Sequence, residues 1–167
     1  VLIPSVIEIY KKEVNKKIKL TKKEKILCSL SRPGHFEGVL AVINQFLLRI
    51  KPNYIFLGEK DFQQLYLIKK FIKKKFNVKV VSCKTVRDVN KIALSSRNIL
   101  LNKNDLKKSS FISKELIKLK NKLKVNFFYK YQISDLIKKI NNIKNIKIDY
   151  LEIRNKKNLS KKFNKPI

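Results

Sequence analysis

"FLGEKDFQQLYLIKK", residues Phe56 to Lys70, decides how the first half of the chain folds. Its start completes a short apolar run, "YIFL" (Tyr54 to Leu57), with the length and composition of a strand. From Asp61 to about Lys75, Phe62, Leu65, Ile68 and Ile72 recur at helical spacing, with Lys on the other side. Upstream, Phe36, Val39, Leu40, Ile43, Phe46, Leu47 and Ile50 give the same signature over Phe36 to Ile50. "KIKL" (Lys17 to Leu20) and "VKVVSC" (Val78 to Cys83) read as further strands. Strands and helices in this alternation predict an α/β fold built from βαβ units on a parallel sheet. Ligands of such sheets sit beyond the carboxyl ends of the strands, which is where Gly58, Glu59, Lys60 and Asp61 fall.

The second half changes rhythm. "NDLKKSSFISKELIKLKNKLK" (Asn104 to Lys124) predicts a long amphipathic helix burying Phe111, Ile112, Leu116, Leu119 and Leu123. "ISDLIKKINNI" (Ile133 to Ile143) predicts a shorter helix with Ser134 as its cap. "IKIDYLEIR" (Ile146 to Arg154) alternates as a strand does. These elements predict a small α+β second domain. The change comes near "ALSSRN" (Ala93 to Asn98) and divides the chain into residues 1–90 and 91–167.

The chain has 167 residues, enough for a sizeable core, and carries 41 Lys and Arg against 12 Asp and Glu, a formal net charge of +29. Such a charge invites a nucleic-acid partner. The excess is mostly Lys, accompanied by abundant Ile and Asn and only three Gly, a joint skew that AT-rich codons produce. No interleaving of Arg with aromatic residues suggests base stacking, so no specific nucleic acid is expected. Cys28 and Cys83 have no metal or redox spacing, and a reduced, cytoplasmic chain is the expectation. No run of 18 apolar residues marks a transmembrane helix, and no membrane association is expected. The sequence opens on Val1 in mid-pattern and its tail "NKKNLSKKFNKPI" stops without a closing element, so both natural ends are expected to lie beyond it.

Three polar clusters carry chemistry. In the first, Gly58 permits a sharp turn and lets backbone amides approach a ligand. Lys60 supplies charge for a phosphate, Asp61 an acceptor for ribose hydroxyls, and Gln64 donors and acceptors for a small hydroxylated acid. Asp61 with Gln64 three residues on is equally a capping box, which needs no ligand. The second, "SRPGHFEG" (Ser31 to Gly38), holds Arg32, whose fork suits a carboxylate or phosphate or pairs with Glu37, and His35, the only His. A lone His beside a turn reads as a structural hydrogen-bonding group. In the third, "TVRDVNKIALSSRN" (Thr85 to Asn98), Ser95, Ser96 and Arg97 suit a polyphosphate or form a helix-capping turn.

In order and spacing, "SRPGHFEGV", "FLGEKDFQQL" and "TVRDVNKIALSSRN" resemble the pantothenate synthetases, the pantoate/β-alanine ligases of the Rossmann-like nucleotidyltransferases. The resemblance runs from about Val1 to "DYLEIR". It implies the later part of a Rossmann-like parallel sheet followed by a small lid domain, and a homodimer. It implies a ligation in which ATP, with Mg²⁺, and pantoate give pantoyl-adenylate, which β-alanine converts to pantothenate and AMP. It places Gly58, Glu59, Lys60, Asp61, Val86, Leu94, Ser95, Ser96 and Arg97 on ATP, with Val86 and Leu94 flanking adenine, and Gln64 and Arg32 on pantoate. The family's catalytic His residues, in an N-terminal H-x-G-H motif, have no counterpart here, so no catalytic residue is assigned and these residues by themselves are expected not to turn over. No protein metal ligand is implied. Lys84 stands where the family has Pro, and Asn90-Lys91 where it has Asp-Gly, putting a Lys at a position suited to positive φ. The rival expectations are a basic nucleic-acid-binding module, for which binding would fall steeply with salt, and a decayed, inactive copy.

Overall fold

The computed structural model describes residues 3–9, 18–123 and 129–161. Two compact units, Val1–Lys84 and Thr85–Ile167, make up the chain.

In the first unit a short α1 (Val6–Ile9) and α2 (Cys28–Ser31) precede the long α3 (His35–Ile50), β1 (Tyr54–Gly58), a 3₁₀ turn (Glu59–Asp61), α4 (Phe62–Lys75) and β2 (Lys79–Cys83). β1 and β2 pair in parallel from Tyr54 opposite Lys79 to Gly58 opposite Cys83, so both strands finish level with the 3₁₀ turn. The βαβ unit expected from Phe56–Lys70 is therefore present. Leu20, Phe36, Leu40, Leu47, Leu67, Ile68 and Ile72 form the core, onto which Ile55, Leu57, Val78 and Val80 pack. The helical stripes were readable because each repeats its apolar residues every three or four positions. Residues 18–20 are not a strand, and Lys17 lies outside the described residues. Leu20 is nonetheless buried and Ile18 packs against the same cluster, while Lys19 between them is exposed.

Glu24 fastens the loop before α2 to α4. One carboxylate oxygen takes Lys70 Nζ at 2.7 Å, and the other accepts from the Thr21 N–H and hydroxyl, both at 2.8 Å. Burial pushes the Glu24 carboxyl up, but the hydrogen bonds from Lys70 and Thr21, with the charge of Lys70, outweigh it and hold the pKa below its ordinary value. A depressed folded pKa means that the ionised form stabilises the fold above the ordinary carboxylate range, and that this contribution is lost as pH falls through the folded value. Glu24→Gln is thus expected to cost about 1–2 kcal/mol at pH 7. The gap from wild type should close in acid; urea midpoints from pH 7 to 3 check this, and a gap that stays constant refutes it.

The second unit begins with a hairpin, continues through a 3₁₀ turn (Ser96–Leu100), and is dominated by α5 (Lys103–Leu123) and α6 (Tyr129–Asn141). Arg87 and Ala93 form an antiparallel bridge, and the Ser110 hydroxyl donates to the Asn90 carbonyl at 2.9 Å, tying the hairpin to α5. These bonds place residues 85–90 with the second unit, so the units divide a few residues before the 90/91 boundary read from the sequence. Leu119, Leu136 and Ile140 are the buried centre of this unit.

Three expectations for this half need correction. Residues 146–154 are not a strand; Ile146, Ile148 and Leu151 instead lie on the α5–α6 cluster, and their alternation had no neighbouring strand to pair with among the described residues. α6 starts at Tyr129, which leaves Ser134 inside the helix rather than at its cap. On α5, Ile112, Leu119 and Leu123 face the cluster, but Phe111 and Leu116 are exposed. Phe111 lines a shallow cleft with Asn90, Leu106, Lys107, Ser110 and Lys114.

Lys91 has φ +67°, the left-handed conformation that its place in the turn demands. The turn is held by Lys91 N–H to the Asp88 carbonyl at 3.0 Å, Ile92 N–H to the Asp88 carboxylate at 2.9 Å, and Arg87 to the Lys91 carbonyl at 2.8 Å. An L-residue is strained there by about 1–2 kcal/mol, part of which Gly gives back as unfolded-state entropy. Lys91→Gly is expected to stabilise the second unit by up to about 1 kcal/mol; a lowered melting midpoint contradicts this.

No helix among the described residues is long and apolar enough to cross a membrane.

Candidate functional site

At the carboxyl end of β1 the chain turns through Gly58, Glu59, Lys60 and Asp61 into α4. Gly58 has φ −72° and ψ 138°, ordinary extended backbone, so the sharp turn expected of it is absent. A Cβ built there meets no atom within 4 Å. Neither backbone strain nor packing inside the unit demands Gly at this position, and what its bareness leaves is open space beside the strand end.

Asp61 occupies the N-cap position of α4, yet its side chain makes no capping hydrogen bond and is exposed. The capping-box reading is therefore not realised. The carboxylate is open to solvent at the strand end, with Lys60 exposed beside it and Glu59 half-buried.

Of the two adjacent glutamines, Gln63 is buried and Gln64 is half-buried. Gln63 Oε1 accepts from the Cys28 N–H at 3.1 Å, and its Nε2 donates to the Ile26 carbonyl at 2.7 Å. Neighbours on a helix point in different directions, so only one of the pair serves the core while the other stays half-buried at its surface. Sequence reading missed the structural task of Gln63; the doubled Gln was its only signal.

Arg32 follows α2, and its Nη2 lies 3.2 Å from His35 Nδ1, so of the two readings the sequence left open the pairing with Glu37 is not realised. The guanidinium can only donate, so this contact is a hydrogen bond in the neutral tautomer that carries its proton on Nε2. Burial, and then the Arg32 charge, hold the His35 pKa below its ordinary value. Gly34, at φ +77°, is the turn residue that lets α3 begin at His35.

The hairpin of the second unit presents the remaining candidates. The Leu94 N–H bonds the Val86 carbonyl at 3.0 Å, which sets these two residues side by side with side chains 54% and 64% exposed. Two solvated aliphatic groups on one hairpin make an apolar seat that the unit's own core does not use. The Ser95 hydroxyl accepts from the Arg97 N–H at 3.3 Å, so the capping reading of this serine holds, while Ser96 and Arg97 are exposed.

Comparison with known proteins identifies the family. A sequence model described as pantoate-beta-alanine ligase matches residues 1–166. The chain belongs to the pantoate-beta-alanine ligase family. Among relatives of the ligase, the bifunctional pantoate ligase/cytidylate kinase of Prochlorococcus marinus (strain MIT 9301) is 41% identical over 91% of this chain and 30% of its own length. A pantothenate synthetase of Leptospira interrogans is 35% identical over 83% of this chain and 49% of its own. The chain therefore spans about a third to a half of the curated relatives it matches. The crystal structure of pantothenate synthetase from Thermus thermophilus superposes with a TM-score of 0.84 at 27% identity, over 94% of this chain and 58% of that one. A pantoate-beta-alanine ligase from Francisella tularensis, solved with beta-gamma ATP and β-alanine, matches with a TM-score of 0.64 at 33% identity, over 79% of this chain and 49% of that one. The parallel sheet with its covering helices is thus the ligase fold, a nucleotidyltransferase-like α/β architecture.

Proposed function

We propose that the protein carrying this chain makes pantothenate by ATP-dependent condensation of pantoate with β-alanine. The observation that carries this reading is the uncapped, exposed Asp61 beside the open face of Gly58, at a strand end in a chain of the ligase family. The Francisella tularensis ligase, solved with ATP and β-alanine, supports those two substrates.

The reaction divides into two displacements. A pantoate carboxylate oxygen attacks the α-phosphorus of ATP, the bond to the β-phosphate oxygen breaks, and pyrophosphate leaves. The neutral amine of β-alanine then attacks the acyl carbon of pantoyl-adenylate. An amide forms, AMP departs with the bridging oxygen, and the amine proton passes to solvent. Both steps bring anions together, so the protein's task is positioning and charge neutralisation.

In this assignment Gly58 gives the nucleotide room, Asp61 accepts from its ribose, and Lys60 meets phosphate with Glu59 alongside. Val86 and Leu94 flank adenine. Ser95, through the oxygen lone pair its cap leaves free, joins Ser96 and Arg97 on phosphate. Gln64 and Arg32 hold pantoate, the arginine through its planar fork. Among the described residues no group of three His, Cys, Asp or Glu could hold a metal. Mg²⁺ enters this proposal as an ion carried on the ATP phosphates, its common mode of binding. A cytoplasmic homodimer belongs to the same proposal.

The test is AMP production from ATP by a protein that carries this chain. AMP is expected only when pantoate is present, and pantoate without β-alanine is expected to support exchange of labelled pyrophosphate into ATP. ATP consumption that ignores pantoate contradicts the assignment.

A further inference from the structure

Leu27 has φ +53° and ψ −126°, a backbone conformation in which an L side chain is strained and which glycine adopts freely. Strain of this kind persists only where the surroundings over-determine it. Here one side chain supplies the grip. Gln63, 7% exposed, accepts from the N–H that follows Leu27 and donates to the carbonyl that precedes it, at 3.1 and 2.7 Å. An amide side chain offers an acceptor and a donor side by side, and it holds both sides of the strained residue as a short strand would.

We propose that Gln63 is a positioning residue, whose amide clasp across Leu27 sets where Arg32 and His35 stand relative to the head of α4. The chain leaves the clasp directly into α2, whose Cys28 carbonyl accepts the Arg32 N–H at 3.0 Å, and Arg32 then meets His35. At its other end the clasp is rooted in the first turn of α4, one residue from Gln64 and two from Asp61. A slip of the clasp would displace Arg32 while leaving Gln64 in place. The consequence for substrate rests on the ligase reading: Arg32 and Gln64 are the two residues assigned to pantoate, and Gln63 holds them in register although it touches no ligand.

His35 is the only histidine of this sequence, so it gives a single Hε1 resonance whose titration reports the Arg32–His35 arrangement. In wild type the midpoint is expected below the ordinary value. In Gln63→Leu the clasp is lost, Leu27 relaxes, and the midpoint should rise towards the ordinary histidine value. In the Leu27→Gly, Gln63→Leu double variant there is no strain to release, so the midpoint should return towards wild type. A role in stability alone would lower the unfolding midpoint without moving the titration of the folded protein. Gln63→Asn, which keeps the amide but is one methylene too short to span both partners, serves if Gln63→Leu does not fold and is expected to move the midpoint the same way.

An unmoved midpoint in a folded Gln63 variant overturns the proposal. Titration of the same samples with pantoate and Mg-ATP reads the second consequence: pantoate affinity should fall about 10- to 100-fold in Gln63→Leu and recover in the double variant. If wild type binds no pantoate, the ligase reading fails, and the His35 titration still decides the clasp.

Discussion

Gly58→Ala is expected to leave the fold unchanged and to abolish binding of Mg-ATP. The two halves of this expectation have separate causes. Gly58 has unstrained extended backbone and its missing Cβ would meet nothing within 4 Å, so the added methyl costs the folded chain nothing. Ala also restricts the unfolded chain, which favours folding by about 0.4–1 kcal/mol where the native backbone suits it. The unfolding midpoint should therefore hold or rise slightly. Binding is a different matter, because a nucleotide brought to the end of β1 must come against the face where the methyl now projects. A variant that unfolds earlier than wild type would show an unseen steric need at Gly58. One that binds ATP as wild type does would show that the nucleotide does not approach there.

The largest expected loss of stability is at Ile68, which is 1% exposed at the centre of the α3–α4 core. Ile68→Ala should cost the first unit about 2–5 kcal/mol through lost burial and the cavity left behind. That unit rests on a sheet of only two strands among the described residues, which gives little stability of its own, so the helices packed on it carry most of the burden. Ile50→Ala is the control: Ile50 lies on α3 but is 51% exposed, and its loss should be within about 0.5 kcal/mol of neutral. Equal losses at the two positions, read from urea midpoints, would mean that the core lies elsewhere.

What could be read from the sequence follows from which forces are periodic. α3, α4, β1 and β2 were legible because a buried stripe imposes its spacing on the apolar residues, and Phe36, Leu40, Leu65, Ile68 and Ile72 carry it. "IKIDYLEIR" misled because alternation records which side faces the core, not whether a neighbouring strand exists to bond. Ser134 misled because a capping residue type also occurs inside helices; the helix begins earlier, at Tyr129. Phe111 misled because its place in a helical stripe does not say that a cleft interrupts the packing there.

At the candidate site, residue identity named the groups but not their tasks. Asp61 could have been a cap, and only the backbone and hydrogen bonds around it show that it is not. Gln63 and Gln64 are indistinguishable as letters, and what separates them is the direction each leaves the helix. The strain at Leu27 is invisible in a leucine. The strain at Lys91 was legible, because a Lys standing where the resembled family has Gly marks a turn whose conformation suits Gly. For Arg32 the sequence offered a ligand or Glu37, but His35 also lies within reach of its long side chain, and the ring nitrogen is the partner that the turn at Gly34 brings to it.

That the turn from Gly58 to Asp61 is a nucleotide site is the central claim, and isothermal titration of the folded chain with Mg-ATP beside an Asp61→Ala variant tests it most directly. The expected result is ATP binding in wild type that the variant loses, with an unchanged unfolding midpoint because Asp61 makes no capping bond to forfeit. Equal ATP binding by both proteins, or a variant whose only change is lower stability, would contradict it.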